Sequence, residues 1–193
     1  GLYDKIYGKT GWKAITIRSL SIGQGEILVT PLQLANQAAA IANKGYYITP
    51  HFNRNDSMKS DVHTTLVDEK HFDVVHRGMA RVMSDGTGRW YNIPELQICG
   101  KTGTAQNNGK DHSVFMGFAP RENPQIAIAV YVENGGFGAT YGVPIGALMM
   151  EQYITGRLSE ESEEKAKYYW YGKKPHTSFD YSDKSKNYYS IFN

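Results

Sequence analysis

The stretch Leu96-Gln97-Ile98-Cys99-Gly100-Lys101-Thr102-Gly103-Thr104-Ala105-Gln106 decides the reading of the fold. It reads as a strand, and two more follow, over Ser113–Ala119 and Gln125–Glu133. The last two are joined by Pro120-Arg121-Glu122-Asn123-Pro124, short enough for an antiparallel hairpin. Ile126, Ile128, Val130 and Val132 alternate with Ala127, Ala129 and Tyr131, so both faces are apolar and both are expected to be covered.

The cover is legible on either side of these strands. A helix is expected from Pro31 to about Lys44, with Thr30 as N-cap, proline at the first helical position, Gln33 completing a capping box and Gly45 ending it. Its alanine-rich composition predicts close packing. A second helix, about Asp68 to Met83, carries Phe72, Val75, Met79 and Val82 at helical spacing, and Ser84-Asp85-Gly86-Thr87-Gly88 breaks it. A third runs from about Pro144 to Leu158, after a glycine-rich loop over Asn134–Gly142. Helix, then strands, then helix is the order of an α+β fold: an antiparallel sheet with helices packed on it. Residues 1–25 read as irregular apart from a short β-like run at Ala14–Arg18. Tyr46–Thr49 reads as a short strand, and 50–65 as a polar loop.

Composition bounds the function. The 193 residues are 40% hydrophobic and 21% charged, ordinary for a globular chain. The longest apolar run, Ile126–Val132, has seven residues, against about 20 for a membrane helix. A net charge of +2 with scattered lysine and arginine argues against nucleic acid as a partner. Cys99 is the single cysteine, which excludes an internal disulfide framework and a cysteine-rich zinc site.

Gly100-Lys101-Thr102-Gly103-Thr104 is the sharpest local feature. A phosphate-binding loop would need its first glycine at position 95, where Glu95 stands, and a helix afterwards, where a strand follows. The other chemistry that uses such a string is the Lys-Thr-Gly element of serine penicillin-recognising enzymes. There an ammonium offers positive charge to a carboxylate and to the nucleophile's proton network, threonine hydroxyls donate to the carboxylate, and glycine admits the ligand to the strand.

Further blocks keep the same company. Ser21-Ile22-Gly23-Gln24-Gly25 and Val29-Thr30-Pro31-Leu32-Gln33-Leu34-Ala35 precede it. Gly100–Gln106, Phe115-Met116-Gly117-Phe118-Ala119-Pro120 and Val132-Glu133-Asn134-Gly135-Gly136 follow in order. Over about Leu20 to Leu158 the chain resembles the class B penicillin-binding proteins, peptidoglycan D,D-transpeptidases of the elongation type. The resemblance implies a partial penicillin-binding, serine β-lactamase-like fold for residues 1–158, with residues 159–193 as a polar tail rich in tyrosine and lysine.

It also implies a serine acyl-enzyme chemistry that cross-links stem peptides ending in D-Ala-D-Ala and is blocked by β-lactams. It implies no cofactor and no metal, with elongation-complex proteins as partners on the outer face of the cytoplasmic membrane. Carried over, Lys101 belongs to the catalytic network. Thr102 and Thr104 hold the substrate carboxylate, the Thr104 N–H forms half of an oxyanion hole, and Gly103 keeps the strand clear.

The family's Ser-x-x-Lys and Ser-x-Asn do not occur before Lys101. Ser162-Glu163-Glu164-Lys165 and Ser185-Lys186-Asn187 match formally but follow Lys101, the reverse of the family's order, and read as decoys. The chain is therefore expected to be the C-terminal portion of a transpeptidase domain, forming no acyl-enzyme alone. Its sheet, lacking helices that would precede Gly1, is expected to be partly uncovered and prone to self-association. A non-catalytic module that reuses this half-fold to hold a peptide or a partner is the alternative.

Lesser candidates have plainer readings. His71 and His76 are five apart with no carboxylate partner motif, so solvated or capping roles fit better than a metal. Cys99 reads as a small apolar strand residue, and the loop at 134–142 as a site rim or plain loop. The tail holds six tyrosines, six lysines and six acidic residues, the composition of a solvated segment.

Overall fold

The computed structural model describes residues 1–9, 11–52 and 61–169. Its elements run α1 (Leu2–Tyr7), α2 (Ala14–Ser21), α3 (Pro31–Ala42), β1 (Tyr46–Ile48), β2 (Val62–Thr64), α4 (Glu69–Ser84), β3 (Cys99–Ala105), β4 (His112–Ala119), β5 (Ile126–Val132), α5 (Gly142–Thr155) and α6 (Glu160–Lys167). Two short 3-10 turns, Arg89–Tyr91 and Pro94–Leu96, connect α4 to β3.

β3, β4 and β5 form an antiparallel sheet in that order, with Thr102 opposite Phe115 and Phe115 opposite Val130. Both faces are covered, as the alternation requires. On one, Phe115, Ala119, Ile128 and Val130 meet Val143, Ala147 and Met150 of α5. On the other, Cys99 and Phe118 meet Ala42 of α3 and Met79 of α4. The α3 cap forms as its sequence implies: Thr30 Oγ1 accepts from the Gln33 N–H at 3.3 Å, and Gln33 Oε1 accepts from the Thr30 N–H at 2.8 Å. Burial along α3 is confined to Ala38 and Ala42, however, and Leu32 is exposed.

Three expectations are corrected. Ala14–Ser21 is a helix, not β-like, with Thr16 Oγ1 accepting from the Lys13 N–H at 3.4 Å. A strand must find a partner for its backbone groups, whereas a helix satisfies its own; no strand of the described residues pairs with this segment. The polar 50–65 stretch contains β2, paired antiparallel to β1 with Tyr47 opposite His63. On α4 the buried stripe is Phe72, His76, Met79 and Met83, while Val75 faces out. A buried histidine is tolerated because His76 Nε2 lies 2.7 Å from the Ile41 carbonyl.

Among the described residues no bare sheet face is found, because α3 and α4 on one side and α5 on the other close over the strands. Exposed apolar side chains gather instead along the N-terminal third, where Ile15 is 64%, Ile22 76% and Leu28 89% exposed.

Phe115 ties the layers together. A Cβ built on Gly100 would stand 2.4 Å from its ring, and one on Gly146 of α5 would stand 2.6 Å from it. The ring is thus gripped between strand and helix by residues that have no side chain. Alanine ordinarily favours a helix over glycine by up to about 1 kcal/mol, yet Gly146→Ala must push a ring already blocked by Gly100. The variant is expected to lose about 1–3 kcal/mol of stability, read as a lower urea midpoint at unchanged m value.

Candidate functional site

β3 carries the candidate site residues. Lys101 pairs with Met116, Thr102 with Phe115, Gly103 with Val114 and Thr104 with Ser113. Opposed residues share a face and successive residues alternate. Lys101 and Gly103 therefore lie on the face of Val114 and Met116, while Thr102 and Thr104 lie on the face of Phe115 and Ser113.

The second edge of β3 pairs with no strand among the described residues. Lys101 Nζ donates to the Thr102 carbonyl at 2.7 Å, and Gln24 Nε2 donates to the Thr104 carbonyl at 3.0 Å. Both carbonyls thus point to the open edge. In an antiparallel strand the N–H and C=O of one residue point the same way, so the Thr104 N–H is also presented there. Thr102 Oγ1 lies 2.9 Å from Thr87 Oγ1, in the segment that follows α4.

The glycine-rich loop is pinned to the same strands. Buried Ser113 donates its hydroxyl to the Phe137 carbonyl at 2.9 Å and accepts from the Gly142 N–H at 3.0 Å. The Gly136 N–H donates to the Asp111 carbonyl at 2.8 Å, and Asn134 N–H to His112 Nδ1 at 3.0 Å. A Cβ on Gly138 would stand 2.5 Å from the carbonyl oxygens of Gly103 and Val114, so only glycine passes this close to the site strand. The loop is a latch over Gly103, not a separate anion cradle.

Sequence reasoning named Lys101, Thr102, Gly103 and Thr104, and all four lie consecutively on β3. It gave no role to Gln24 or Thr87. Gln24 falls inside the quoted Ser21–Gly25 block, which was the available signal. Thr87 sits in a helix-breaking run with nothing to mark it.

The lesser candidates resolve structurally. His76 is a core residue packed 4.9 Å from the Phe118 ring, and His71 is exposed. No group of three histidine, cysteine, aspartate or glutamate side chains placed to hold a metal occurs among the described residues. Ser162 is buried at the start of α6, and Lys165 is engaged by Glu161 at 2.7 Å and lies over the Tyr91 ring. Ser185 and Asn187 lie outside the described residues. The segment after Ser159, solvated by composition, starts with a helix capped by Ser159 Oγ on the Ser162 N–H at 3.3 Å. Tyr169 beyond it bonds the Tyr91 hydroxyl and packs edge-on against Tyr141.

Residues 1–151 match the family model of the penicillin-binding protein transpeptidase domain, and the chain belongs to that family. Within it the likeness is to the penicillin-binding protein 2 type. The peptidoglycan D,D-transpeptidase MrdA of Acinetobacter baumannii is 37% identical over 158 residues, covering 68% of this chain and 23% of its own length. Penicillin-binding protein 2 of Helicobacter pylori, solved in complex with MreC, superposes with a TM-score of 0.70 at 28% identity over 81% of this chain and 30% of that one. Penicillin-binding protein A of M. tuberculosis, solved as a ceftriaxone acyl-enzyme, gives 0.63 at 28% identity, covering 69% and 34%. The chain thus spans 23–29% of the length of such curated relatives.

Two outcomes follow from this geometry. Gln24→Ala removes the side-chain hydrogen bond that links the 21–25 segment to β3. It is expected to cost about 1 kcal/mol locally, seen as severalfold faster hydrogen exchange at residues 22–25. Burial pushes the Cys99 thiol from an ordinary value of 9.0 up to about 12, and Sγ donates to the His76 carbonyl at 3.6 Å. The folded chain keeps this proton where the unfolded chain has lost it. The resulting stability is complete below about pH 9 and declines as pH rises toward 12. Between pH 8 and 10, wild type is expected to lose more stability than Cys99→Ala, and a thiol reagent at pH 8 is expected to label only unfolded chain.

Proposed function

We propose that this chain supplies the substrate-carboxylate side of a peptidoglycan D,D-transpeptidase. The observation that carries the reading is the open edge of β3, where Lys101, the Thr104 N–H and the Gln24 amide meet although Gln24 and Thr104 are 80 residues apart in sequence. Lys101 supplies a fixed ammonium to the proton network of a serine nucleophile contributed from outside these residues. Thr102, steadied by Thr87, and Thr104 hold the terminal carboxylate of a stem peptide ending in D-Ala-D-Ala. The Thr104 N–H is one donor to the oxyanion formed when serine attacks the carbonyl between the two alanines. Gly103 leaves room for the substrate backbone. The serine is acylated as the terminal D-alanine leaves, and an amine of a second stem peptide releases the acyl group and forms the cross-link. A β-lactam acylates the same serine.

The names of the relatives support this reading: MrdA is a D,D-transpeptidase, and penicillin-binding protein A has been solved acylated by a β-lactam. By the same analogy to the MreC-bound relative, elongation-complex proteins are the partners. The substrate places the work on the outer face of the cytoplasmic membrane; no described helix is long and apolar enough to cross one.

Fluorescent penicillin tests the assignment. The 193-residue chain by itself is expected to remain unlabelled, since no Ser-x-x-Lys precedes Lys101. A protein joining it to the family's Ser-x-x-Lys and Ser-x-Asn segments is expected to label, and Lys101→Ala in that protein to slow acylation at least about tenfold. Covalent labelling of the chain alone, or unchanged acylation in Lys101→Ala, overturns the reading.

A further inference from the structure

Away from β3's open edge, two adjoining cavities of about 450 and 490 Å³ share Arg77 of α4 and Arg121 of the β4–β5 hairpin. Neither is lined by any residue of 101–104. The larger one adds Arg81, so three guanidinium groups line it and no carboxylate does. Its walls include apolar Ala80, Pro94 and Ile98, with the amides of Asn92 and Gln97 between them.

The charges here are only partly neutralised. Arg121 is bonded by Nε at 2.8 Å and by one terminal nitrogen at 2.5 Å to its neighbour Glu122. Arg81 reaches Asp85 only at 3.9 Å, with both side chains largely exposed. Arg77 is exposed and makes no ion pair among the described residues. An exposed arginine needs no partner, but three converging from two elements onto a concavity without a carboxylate in its lining leave that concavity locally positive, while Asp73 and Glu122 line the neighbouring cavity.

The shape and lining select among anions. A cavity of about 490 Å³ far exceeds one phosphate or carboxylate. No aromatic side chain lines the larger cavity, so the aromatic platforms on which single-stranded bases stack are missing from it. A groove with guanidinium forks, side-chain amides and small apolar walls suits an extended peptide. The forks take carboxylates bidentately, the amides meet peptide backbone, and the apolar walls cover side-chain stems. We propose that the groove of Arg77, Arg81 and Arg121 is a docking site for an extended acidic segment of a partner protein. It shares no residue with the proposed catalytic strand and stands apart from that assignment.

The test uses the 193-residue chain and fluorescein-labelled hexaglutamate, followed by fluorescence anisotropy, with hexaglutamine as the uncharged control. Saturable binding of the glutamate probe alone is expected, weakened about tenfold by Arg77→Ala. Arg121→Ala is expected to act similarly, and Arg77→Lys to weaken binding severalfold because it keeps the charge and loses the fork. Lys5→Ala and Lys13→Ala, on the N-terminal segment, should leave it unchanged. Circular dichroism monitors folding; should Arg121→Ala unfold, the exposed Arg77 and Arg81 variants decide. Binding indifferent to Arg77→Ala and Arg81→Ala overturns the proposal. So does equal binding of hexathymidylate, or complete displacement by 10 mM inorganic phosphate at constant ionic strength, which would mark a generic or single-anion site (about 10 mM being far above the probe's concentration).

Discussion

A single buried ring organises this molecule. Phe115 is fully inaccessible and is enclosed by Gly100 of the site strand, Gly117 of its own strand, and Gly142 and Gly146 of α5, each close enough that an added Cβ would lie within about 3 Å of it. The absence of side chains on the surrounding residues lets β3 and α5 close on the ring from opposite directions. Gly100 immediately precedes Lys101, so the register of the Lys-Thr-Gly-Thr segment is set by this contact. A slip by one residue would drive Lys101 toward the α5 core and turn both threonines to the other face.

The open edge of β3 is the second constraint. An unpaired edge offers backbone donors and acceptors to whatever reaches it, and here the takers are side chains: Lys101 on the Thr102 carbonyl and Gln24 on the Thr104 carbonyl. The N–H groups beside those carbonyls remain directed outward. Meanwhile the loop that follows β5 is held against the other side of the strand pair by Ser113, whose hydroxyl serves Phe137 and Gly142 at once. Rigidity on one side and accessible backbone on the other is the arrangement on which the proposed binding of an acyl-peptide or a β-lactam rests.

Much of the framework was legible because its signals are local. The hairpin at 120–124, the two-faced alternation of Ile126–Val132 and the Thr30–Gln33 box each depend on residues within a few positions of one another. What was misread depended on partners. Ala14–Ser21 has a strand's alternation but no neighbouring strand, and it is helical. Val62–Thr64 is a strand only because Tyr46–Ile48 lies beside it. The buried stripe of α4 runs through His76 because the Ile41 carbonyl of α3 lies 2.7 Å from its Nε2 and accepts from the ring N–H. Composition likewise marked the segment after Ser159 as solvated, whereas Tyr169 finds Tyr91 and Tyr141.

By itself the sequence determined the α+β order of elements and the sheet with two apolar faces, and it singled out Lys101, Thr102, Gly103 and Thr104 as the candidate site segment. The first two follow from periodicity, and the third from the likeness of that segment and its neighbouring blocks to the Lys-Thr-Gly element of the family. Tertiary structure alone decided which backbone groups of that segment face the open edge, that Gln24 and Thr87 brace it, that the glycine loop passes over Gly103, and that three arginines share one groove. Each of these joins residues far apart in the chain, and the forces that select them act through space: steric fit around Phe115, hydrogen bonds across an unpaired strand edge, and the field of converging charges.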